Sequence, residues 1–201
     1  MTDFDLIETI LFDPEEGVVD TERHLNRMKV SADALGFNFD RHGARNELQA
    51  ATFRLRQPHR LRLMLSRSGA MAIEGGPRPQ SPAEAHVAIV PLPVASADIR
   101  LRHKTSDRAF YDDARAASGA FEILFVDADG FLTEGSFTTL FVERGGTLLT
   151  PPLSRGLLPG VLRQRLIDEG RAFEADLRVE DLQAGFLIGN ALRGLIPARL
   201  A

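Results

Sequence analysis

Short apolar segments closed by glycine, proline or aspartate recur along this chain, and they constrain its fold more than any other feature. Residues 4–12 are apolar and rich in β-branched and aromatic side chains, and Asp13-Pro14 follows them. Residues 60–67 alternate leucine with arginine and methionine, which is the pattern of a half-buried strand. Between these two strands, apolar residues recur at helical spacing over residues 21–36. The chain therefore mixes strands with helices.

The second half of the chain repeats this mixture with shorter elements. Glycine-containing turns at residues 127–130 and 144–146 separate predicted strands. Pro91-Leu92-Pro93 breaks another strand, so we expect a small N-terminal α/β lobe at residues 1–93 and a C-terminal lobe at 94–201. The predicted class is α/β or α+β. The remaining predicted elements are helices at about 45–53, 106–117 and from 158 onward, and strands at 70–74, 86–91, 99–103, 121–126, 131–134, 138–143, 173–179 and 186–190.

The composition excludes several kinds of site. The chain has 201 residues, a net charge of -4 and no cysteine, so it has neither a disulfide nor a thiolate metal ligand. The histidines lack metal-ligand spacing, and we expect no metal. Neither the bulk charge nor any apolar run indicates a nucleic-acid or membrane partner. The acidic start Met-Thr-Asp-Phe-Asp is not that of a signal peptide, and we expect a cytoplasmic protein.

Lysine is rare in this sequence, although positive charge is not. Lys29 and Lys104 are the two lysines, and every other positive side chain apart from histidine is arginine. An arginine keeps its proton near neutral pH, whereas a desolvated lysine can lose it and react as an amine. Lys104, in the segment His103-Lys104-Thr105-Ser106-Asp107, is therefore a candidate for amine chemistry. The alternative is an ordinary lysine at the surface.

Three further features are candidates for a cofactor or anion site. Glu134 ends a predicted strand beside a glycine. Arg27 lies on the first predicted helix, and its side chain suits bidentate binding of phosphate. Leu158-Pro159-Gly160 opens a helix whose first N–H groups can bind a phosphate. Each feature has an ordinary alternative, namely a turn glutamate in water, a solvated arginine and a helix start without a ligand.

Taken in order, these segments resemble the class IV pyridoxal 5'-phosphate (PLP) enzymes, which include branched-chain and D-amino-acid aminotransferases and 4-amino-4-deoxychorismate lyase. The resemblance rests on FDLIET and ERHLNRMKVSADALGF early in the chain, HKTSDRAFYDDAR in the middle, TEGSFTTLFVERGGTLLTPPLSRGLLPGVLR after it, and IGNALRGLIPA near the end. It implies the two-lobed PLP fold type IV, as in D-amino-acid aminotransferase. The lyase branch of the family is the most similar.

The resemblance also implies a role for each candidate residue. Lys104 is expected to bind PLP covalently and to act as the catalytic base, and Glu134 is expected to pair with the pyridine nitrogen. Arg27 and the backbone N–H groups of Val161 and Leu162 would hold the phosphate. The other residues implied are Leu158 against the cofactor ring, Asn190 and Ala191 at the cofactor, and Leu192 and Arg193 at the substrate carboxylate.

Two positions are less clearly assigned by the resemblance. Thr139 stands where the family has a signature asparagine, which changes the local hydrogen bonding. Tyr111 is the only tyrosine and follows Lys104 closely. We expect it either to contact the phenolic oxygen of the cofactor or to pack in the core or at the surface.

The resemblance implies a lyase that converts 4-amino-4-deoxychorismate into 4-aminobenzoate and pyruvate. A class IV aminotransferase acting on branched-chain or D-amino acids is the first alternative, although Ala191 stands where those enzymes often have a threonine. A non-catalytic homologue is the second alternative. The expected partners are a small amino substrate and a second copy of the chain in a homodimer.

Overall fold

The computed structural model describes residues 4–201, which form two compact units. The first unit comprises the chain up to Gln80 together with His103–Asp107, and the second comprises Ser81–Arg102 and Arg108–Ala201. This division differs from the expected boundary at residue 93, because the strand before that proline break belongs to the second unit. The Lys104 segment, in turn, belongs to the first. That the two lobes are separate domains stays a prediction.

The first unit is a four-stranded antiparallel sheet with helices, in the strand order β2-β1-β3-β4. Its hydrophobic core takes alternate residues of the strands, such as Leu61, Leu63 and Leu65, and packs them against Leu25 and Met28 of the first helix. The predicted alternation of β3 is thus confirmed. The elements are β1 (Leu6–Asp13), β2 (Gly17–Val18), α1 (Thr21–Leu35), α2 (Arg41–Thr52), β3 (His59–Leu65) and β4 (Met71–Pro77).

The second unit is built on an eight-stranded mixed sheet in the order β10-β9-β8-β11-β12-β5-β6-β7. Its β strands place Leu124, Leu140 and Ile188 in one apolar cluster. Its elements are β5 (Ala85–Pro91), α3 (Ile99–Arg102), α4 (Ala109–Ser118), β6 (Glu122–Val126), β7 (Leu132–Gly135), β8 (Thr139–Arg144), β9 (Thr147–Thr150), α5 (Val161–Asp168), β10 (Ala172–Glu174), β11 (Phe186–Asn190) and β12 (Gly194–Leu200), with 3-10 helices at Leu153–Arg155 and Val179–Leu182.

Most predicted elements lie within a few residues of the observed ones, two are wrong in kind or extent, and strands β2, β9 and β12 were not predicted. Residues 99–103 were expected as a strand, but Ile99–Arg102 is a helical turn in which only Leu101 is buried. Strand β10 ends at Glu174, well short of the expected residue 179. Strand β12, Gly194–Leu200, was missed because Pro197 argues against a strand. The mixed α/β class is confirmed, and no helix within residues 4–201 is long and apolar enough to cross a membrane.

Candidate active site

Lys104 lies on a short extended segment of the first unit that pairs with the beginning of β1. The carbonyl of Lys104 accepts the N–H of Ile7 at 2.9 Å. Two residues later, the N–H of Ser106 donates to the carbonyl of Asp5 at 2.8 Å, and Ser106 Oγ accepts the N–H of Asp5 at 2.9 Å. The backbone on which the half-buried Lys104 side chain stands is therefore fixed, although it belongs to no helix or strand.

Helix α1 holds the residue before Lys104 and also carries Arg27. His103 Nδ1 lies 3.0 Å from Ser31 Oγ. Ser31 is four residues after Arg27 on α1, so the two side chains lie on one face of the helix. The first unit thus brings the predicted lysine and the predicted arginine to the same part of its structure.

Arg27 is held by a carboxylate on β1. Arg27 Nε donates to Glu8 Oε1 at 2.8 Å, and Arg27 Nη2 donates to Glu8 Oε2 at 2.6 Å. His24, one turn earlier on α1, places Nδ1 at 2.7 Å from Glu8 Oε2. Glu8 and His24 are each only 1% exposed. This buried cluster orients the Arg27 guanidinium, because a bidentate pair defines both its position and its plane.

The charge state of Glu8 follows from its neighbours. Burial alone would raise the pKa of Glu8, but the charge of Arg27 and the hydrogen bond from His24 outweigh it and lower the pKa to about 2. The carboxylate is therefore ionised at neutral pH, and His24 Nδ1 is the donor. His24 Nε2 is buried and has no hydrogen-bond partner within residues 4–201.

Glu134 is the central carboxylate of the second unit. It is 5% exposed and accepts hydrogen bonds from Tyr111 Oη at 2.6 Å and from the N–H of Leu158 at 3.1 Å. Burial, and then the charge of Glu134, raise the pKa of Tyr111 well above its usual value, so this phenol stays protonated and donates. Two predicted residues, Glu134 and Leu158, are thereby brought together. Tyr111 is a buried partner of Glu134 rather than a surface residue.

A second buried glutamate shapes the turn that follows Glu134. Glu122 Oε1 accepts Ser136 Oγ at 2.5 Å and the Ser136 N–H at 3.0 Å, while Oε2 accepts Thr138 Oγ1 at 2.9 Å and the Phe137 N–H at 3.1 Å. Burial raises the pKa of Glu122 in spite of these hydrogen bonds. The turn between β7 and β8 is consequently fixed by one carboxylate.

Asn190 performs a similar role at the end of β11. Its Nδ2 donates to the carbonyl of Phe137 at 3.0 Å. Its Oδ1 accepts the N–H groups of Leu192 at 3.0 Å and Arg193 at 2.9 Å. The side chain thus ties the turn at residues 190–193, which includes Ala191, to the turn that follows Glu134.

Arg193 lies on the same turn, in aromatic surroundings. Its Nη1 is 3.3 Å from Ser81 Oγ, and its guanidinium lies 5.8 Å from the ring centre of Phe121 and 5.7 Å from that of Phe137. Both distances fit cation–π contact.

The start of α5 is the predicted phosphate-binding segment. Gly160 is the N-cap in an extended conformation, and within the described residues no side chain caps the helix. The first N–H groups therefore have no capping acceptor of the usual kind. A Cβ added to Gly160 would lie 2.8 Å from Thr139 Oγ1, so strand β8 closely approaches this helix start. Val161 and Leu162 are the first two helical residues.

Sequence reasoning missed Glu8, His24 and Glu122. Each glutamate is a single charge inside an apolar strand segment, LIETILF for Glu8 and FEILFV for Glu122. A charged side chain is rarely buried without partners. A lone glutamate in an apolar strand segment was therefore the signal that could have predicted these two buried, hydrogen-bonded carboxylates. His24 precedes Arg27 by one helical turn, a spacing that places both side chains on one face.

The family model described as "Amino-transferase class IV" matches residues 5–201. The chain belongs to the class IV aminotransferase family. Enzymes of this family depend on PLP, and the expected family and fold are confirmed.

Individual relatives of this class IV chain carry two kinds of name. A Schizosaccharomyces pombe protein provisionally named aminodeoxychorismate lyase is 29% identical over 206 residues, which cover 96% of this chain and 88% of that protein. The solved structure of a provisionally named amino-acid aminotransferase from Mesorhizobium loti is 39% identical, with a TM-score of 0.91, over 99% of this chain and 100% of that one. A solved structure provisionally named 4-amino-4-deoxychorismate lyase is 25% identical, with a TM-score of 0.80, over 97% and 84% of the two chains.

The side chains present fit PLP. The cofactor carries a ring nitrogen that needs an acidic partner and a phosphate that needs hydrogen-bond donors. The buried carboxylate of Glu134 is an acidic group that can pair with the ring nitrogen, since a carboxylate can accept from several donors at once. The start of α5 is uncapped, and its N–H groups are donors that can bind the phosphate. Gly160, at this helix start, has no room for a side chain. Within the first unit, Lys104 and Arg27 offer an amine and a positive charge, which are groups that PLP also needs.

Proposed function

We propose that this chain is a PLP-dependent lyase that converts 4-amino-4-deoxychorismate into 4-aminobenzoate and pyruvate. The observation that carries the cofactor assignment is the buried Glu134 carboxylate, which accepts from Tyr111 and from the Leu158 N–H. An acidic group held in this way keeps a pyridine nitrogen protonated. The similarity to the Schizosaccharomyces pombe protein over 96% of the chain supports the lyase reaction.

Each residue has a defined task in this proposal. Lys104 Nζ binds PLP covalently, Glu134 faces its ring nitrogen, and Leu158 packs against the ring. Arg27 and the N–H groups of Val161 and Leu162 bind the phosphate, because a guanidinium and a helix start both favour an anion. The Glu8 carboxylate keeps the Arg27 guanidinium oriented.

The bound cofactor supplies an electron sink for the carbon that bears the substrate amine. With the substrate amine bound, the Lys104 Nζ amine would accept the proton from that carbon as a general base. The enolpyruvyl C–O bond would then break, the departing enolpyruvate would take up a proton at its methylene carbon to become pyruvate, and the ring would become aromatic. The overall reaction consumes no second substrate, which separates it from amino transfer.

The end of β11 is the proposed substrate side. Asn190 and Ala191 would line the cofactor, and Leu192 and Arg193 would lie near a substrate carboxylate. Since the Asn190 amide already holds the turn at residues 190–193, we propose that it acts mainly by positioning this turn. The guanidinium of Arg193 carries the charge that suits a carboxylate.

An aminotransferase is the second candidate, and the 39% identity to the Mesorhizobium loti structure favours it. In that reaction Lys104 would move the proton from the substrate carbon to the cofactor, and a keto acid would leave. Branched-chain and D-amino acids are the substrates to be tested. The proposed acting form is a homodimer, as the family resemblance implies, and light scattering of the purified protein measures it.

One assay separates the two reactions. The protein with PLP is mixed with 4-amino-4-deoxychorismate, and pyruvate is followed with lactate dehydrogenase and NADH, while 4-aminobenzoate is followed by fluorescence. The lyase proposal expects equal amounts of pyruvate and 4-aminobenzoate, with no added amino acid or keto acid required. If the protein instead exchanges the amino group between an amino acid and a keto acid, and releases no pyruvate from 4-amino-4-deoxychorismate, the lyase proposal is wrong and the aminotransferase assignment takes its place.

The two lysines provide a matched pair of variants for the same assay. Lys104→Ala is expected to abolish product formation and the visible absorbance of bound PLP. Lys29, which pairs with Asp33 on the exposed face of α1, serves as the control, and Lys29→Ala is expected to keep both. After borohydride reduction, peptide mapping should find the modification on Lys104. Modification of Lys29 instead would contradict the assignment.

A further inference from the structure

Three hydroxyl side chains follow Glu134, and two of them have a buried partner. Ser136 Oγ and Thr138 Oγ1 both donate to Glu122, at 2.5 and 2.9 Å. Thr139, the first residue of β8, is also buried, at 6% exposure. Among residues 4–201 its Oγ1 has no hydrogen-bond partner. The Oγ1 atom itself is not sealed from solvent, so this hydroxyl can donate to an acceptor that binds from outside the polypeptide.

The Thr139 hydroxyl lies at the start of α5. A Cβ on Gly160, the N-cap residue, would be 2.8 Å from Thr139 Oγ1. Gly160 has a φ of -62°, which any residue can adopt, so backbone conformation does not require glycine here. The lack of space requires glycine here, because a side chain on residue 160 would occupy the place beside the Thr139 hydroxyl.

A second glycine brings the same elements together. Gly189 of β11 is paired in register with Thr139 of β8. A Cβ on Gly189 would lie 2.9 Å from Leu162 Cδ2, and Leu162 is the second residue of α5. Two strands and the first turn of the helix therefore converge where the partnerless hydroxyl is found.

The first turn of α5 provides no hydroxyl of its own. Its residues are Val161, Leu162 and Arg163, and the Arg163 guanidinium is engaged elsewhere, donating to the carbonyl of Pro151 at 2.8 Å and to Glu174. An anion at this helix start would be bound by backbone N–H groups and by the hydroxyl of Thr139. A threonine hydroxyl is a suitable donor to a phosphate oxygen.

We propose that Thr139 Oγ1 donates a hydrogen bond to the phosphate group of PLP at the start of α5. This inference rests on the proposed cofactor. It gives a binding role to the residue that replaces the family's signature asparagine.

The test compares ligands with and without the phosphate. The PLP-free protein is titrated with PLP and with pyridoxal, and the dissociation constants are obtained from absorbance. Thr139→Val, which has nearly the same shape but no hydroxyl, should bind PLP about 10-fold more weakly, the effect of one charge-assisted hydrogen bond. Pyridoxal binding should be unchanged. Thr139→Ser, which keeps the hydroxyl, should stay within about 3-fold of wild type for PLP.

The stability of the PLP-free protein provides an independent readout. Since Thr139 Oγ1 has no hydrogen-bond partner within residues 4–201 to lose, Thr139→Val should be about as stable to urea as wild type while it binds PLP less well. A structural role alone predicts lower stability and equal weakening of both ligands. Thr139→Ala serves as a second variant without the hydroxyl if the valine variant does not fold.

The outcomes distinguish this inference from the proposed function. Wild type that binds no PLP overturns the proposed function and this inference with it. Wild type that binds PLP, with Thr139→Val and Thr139→Ala either equal to wild type or equally weakened for PLP and pyridoxal, overturns the role of Thr139 alone.

Discussion

Replacing Glu8 with glutamine tests the buried charge cluster that holds Arg27. Glutamine has nearly the same shape, but it is neutral and offers one acceptor oxygen in place of two. The bidentate contact with Arg27 and the hydrogen bond from His24 cannot both be kept. Breaking a buried ion pair on one side leaves an uncompensated charge, so we expect Glu8→Gln to be clearly destabilised at neutral pH.

The size of the effect follows from the pKa of Glu8. That pKa falls from 4.5 to about 2 in the folded protein, a shift that corresponds to about 3 kcal/mol of stability at neutral pH. The folded pKa is the lower one, so the contribution is fully present above about pH 4.5 and is lost as the pH falls toward 2. Between about pH 5.5 and about pH 3.5, linkage predicts a loss of about 1 kcal/mol from this one group.

The measurement is the free energy of unfolding of the PLP-free protein, from urea titrations at several pH values in this range. The difference between wild type and Glu8→Gln should shrink by about 1 kcal/mol as the pH falls from about 5.5 to about 3.5. Glu47→Gln, at an exposed position of α2, controls for the loss of one negative charge. A wild-type advantage that stays constant over the range would refute the view that Arg27 and His24 keep the Glu8 carboxylate ionised.

Two further substitutions test the second unit. Tyr111→Phe removes the donor to Glu134 at 2.6 Å and should lower the free energy of unfolding in urea by about 1.5–3 kcal/mol, as for a buried hydrogen bond to a charged group; an unchanged value would contradict that contact. Gly135→Ala would place a Cβ 2.5 Å from Thr138 Oγ1 and should cost at least about 2 kcal/mol. Gly75→Ala, where nothing lies within 4 Å, is the matched control and should leave the melting temperature nearly unchanged. Equal effects of the two alanines would contradict the close packing at Gly135.

The order of strands and helices could be predicted largely from local patterns. Helix α1 shows this, because its apolar spacing and the glycine after it describe Thr21–Leu35 nearly to the residue. Ile99–Arg102 shows where local patterns fail. The four residues IRLR alternate apolar and basic side chains, which favours a strand. Leu101 nevertheless packs into an apolar cluster from a helical turn, and this tertiary contact decides the local structure.

The candidate residues were found through resemblance, and their partners were not. Lys104, Glu134 and Arg27 stand in segments whose order along the chain is specific. The residues that hold them, Glu8 for Arg27 and Tyr111 for Glu134, are distant in sequence, and no local spacing joins them.

The sequence alone determined the reactive groups of this protein, because the identity of an amine, a carboxylate or a hydroxyl is a property of the residue. It also determined the family, through the order of its motifs. Only the tertiary structure decided which groups are already satisfied. Ser136, Thr138 and Thr139 are equivalent as a sequence of hydroxyls, yet two donate to Glu122 and the third lies buried beside Gly160. Burial and partner geometry arise from contacts between distant strands, and these determine which polar group has a bond left to make.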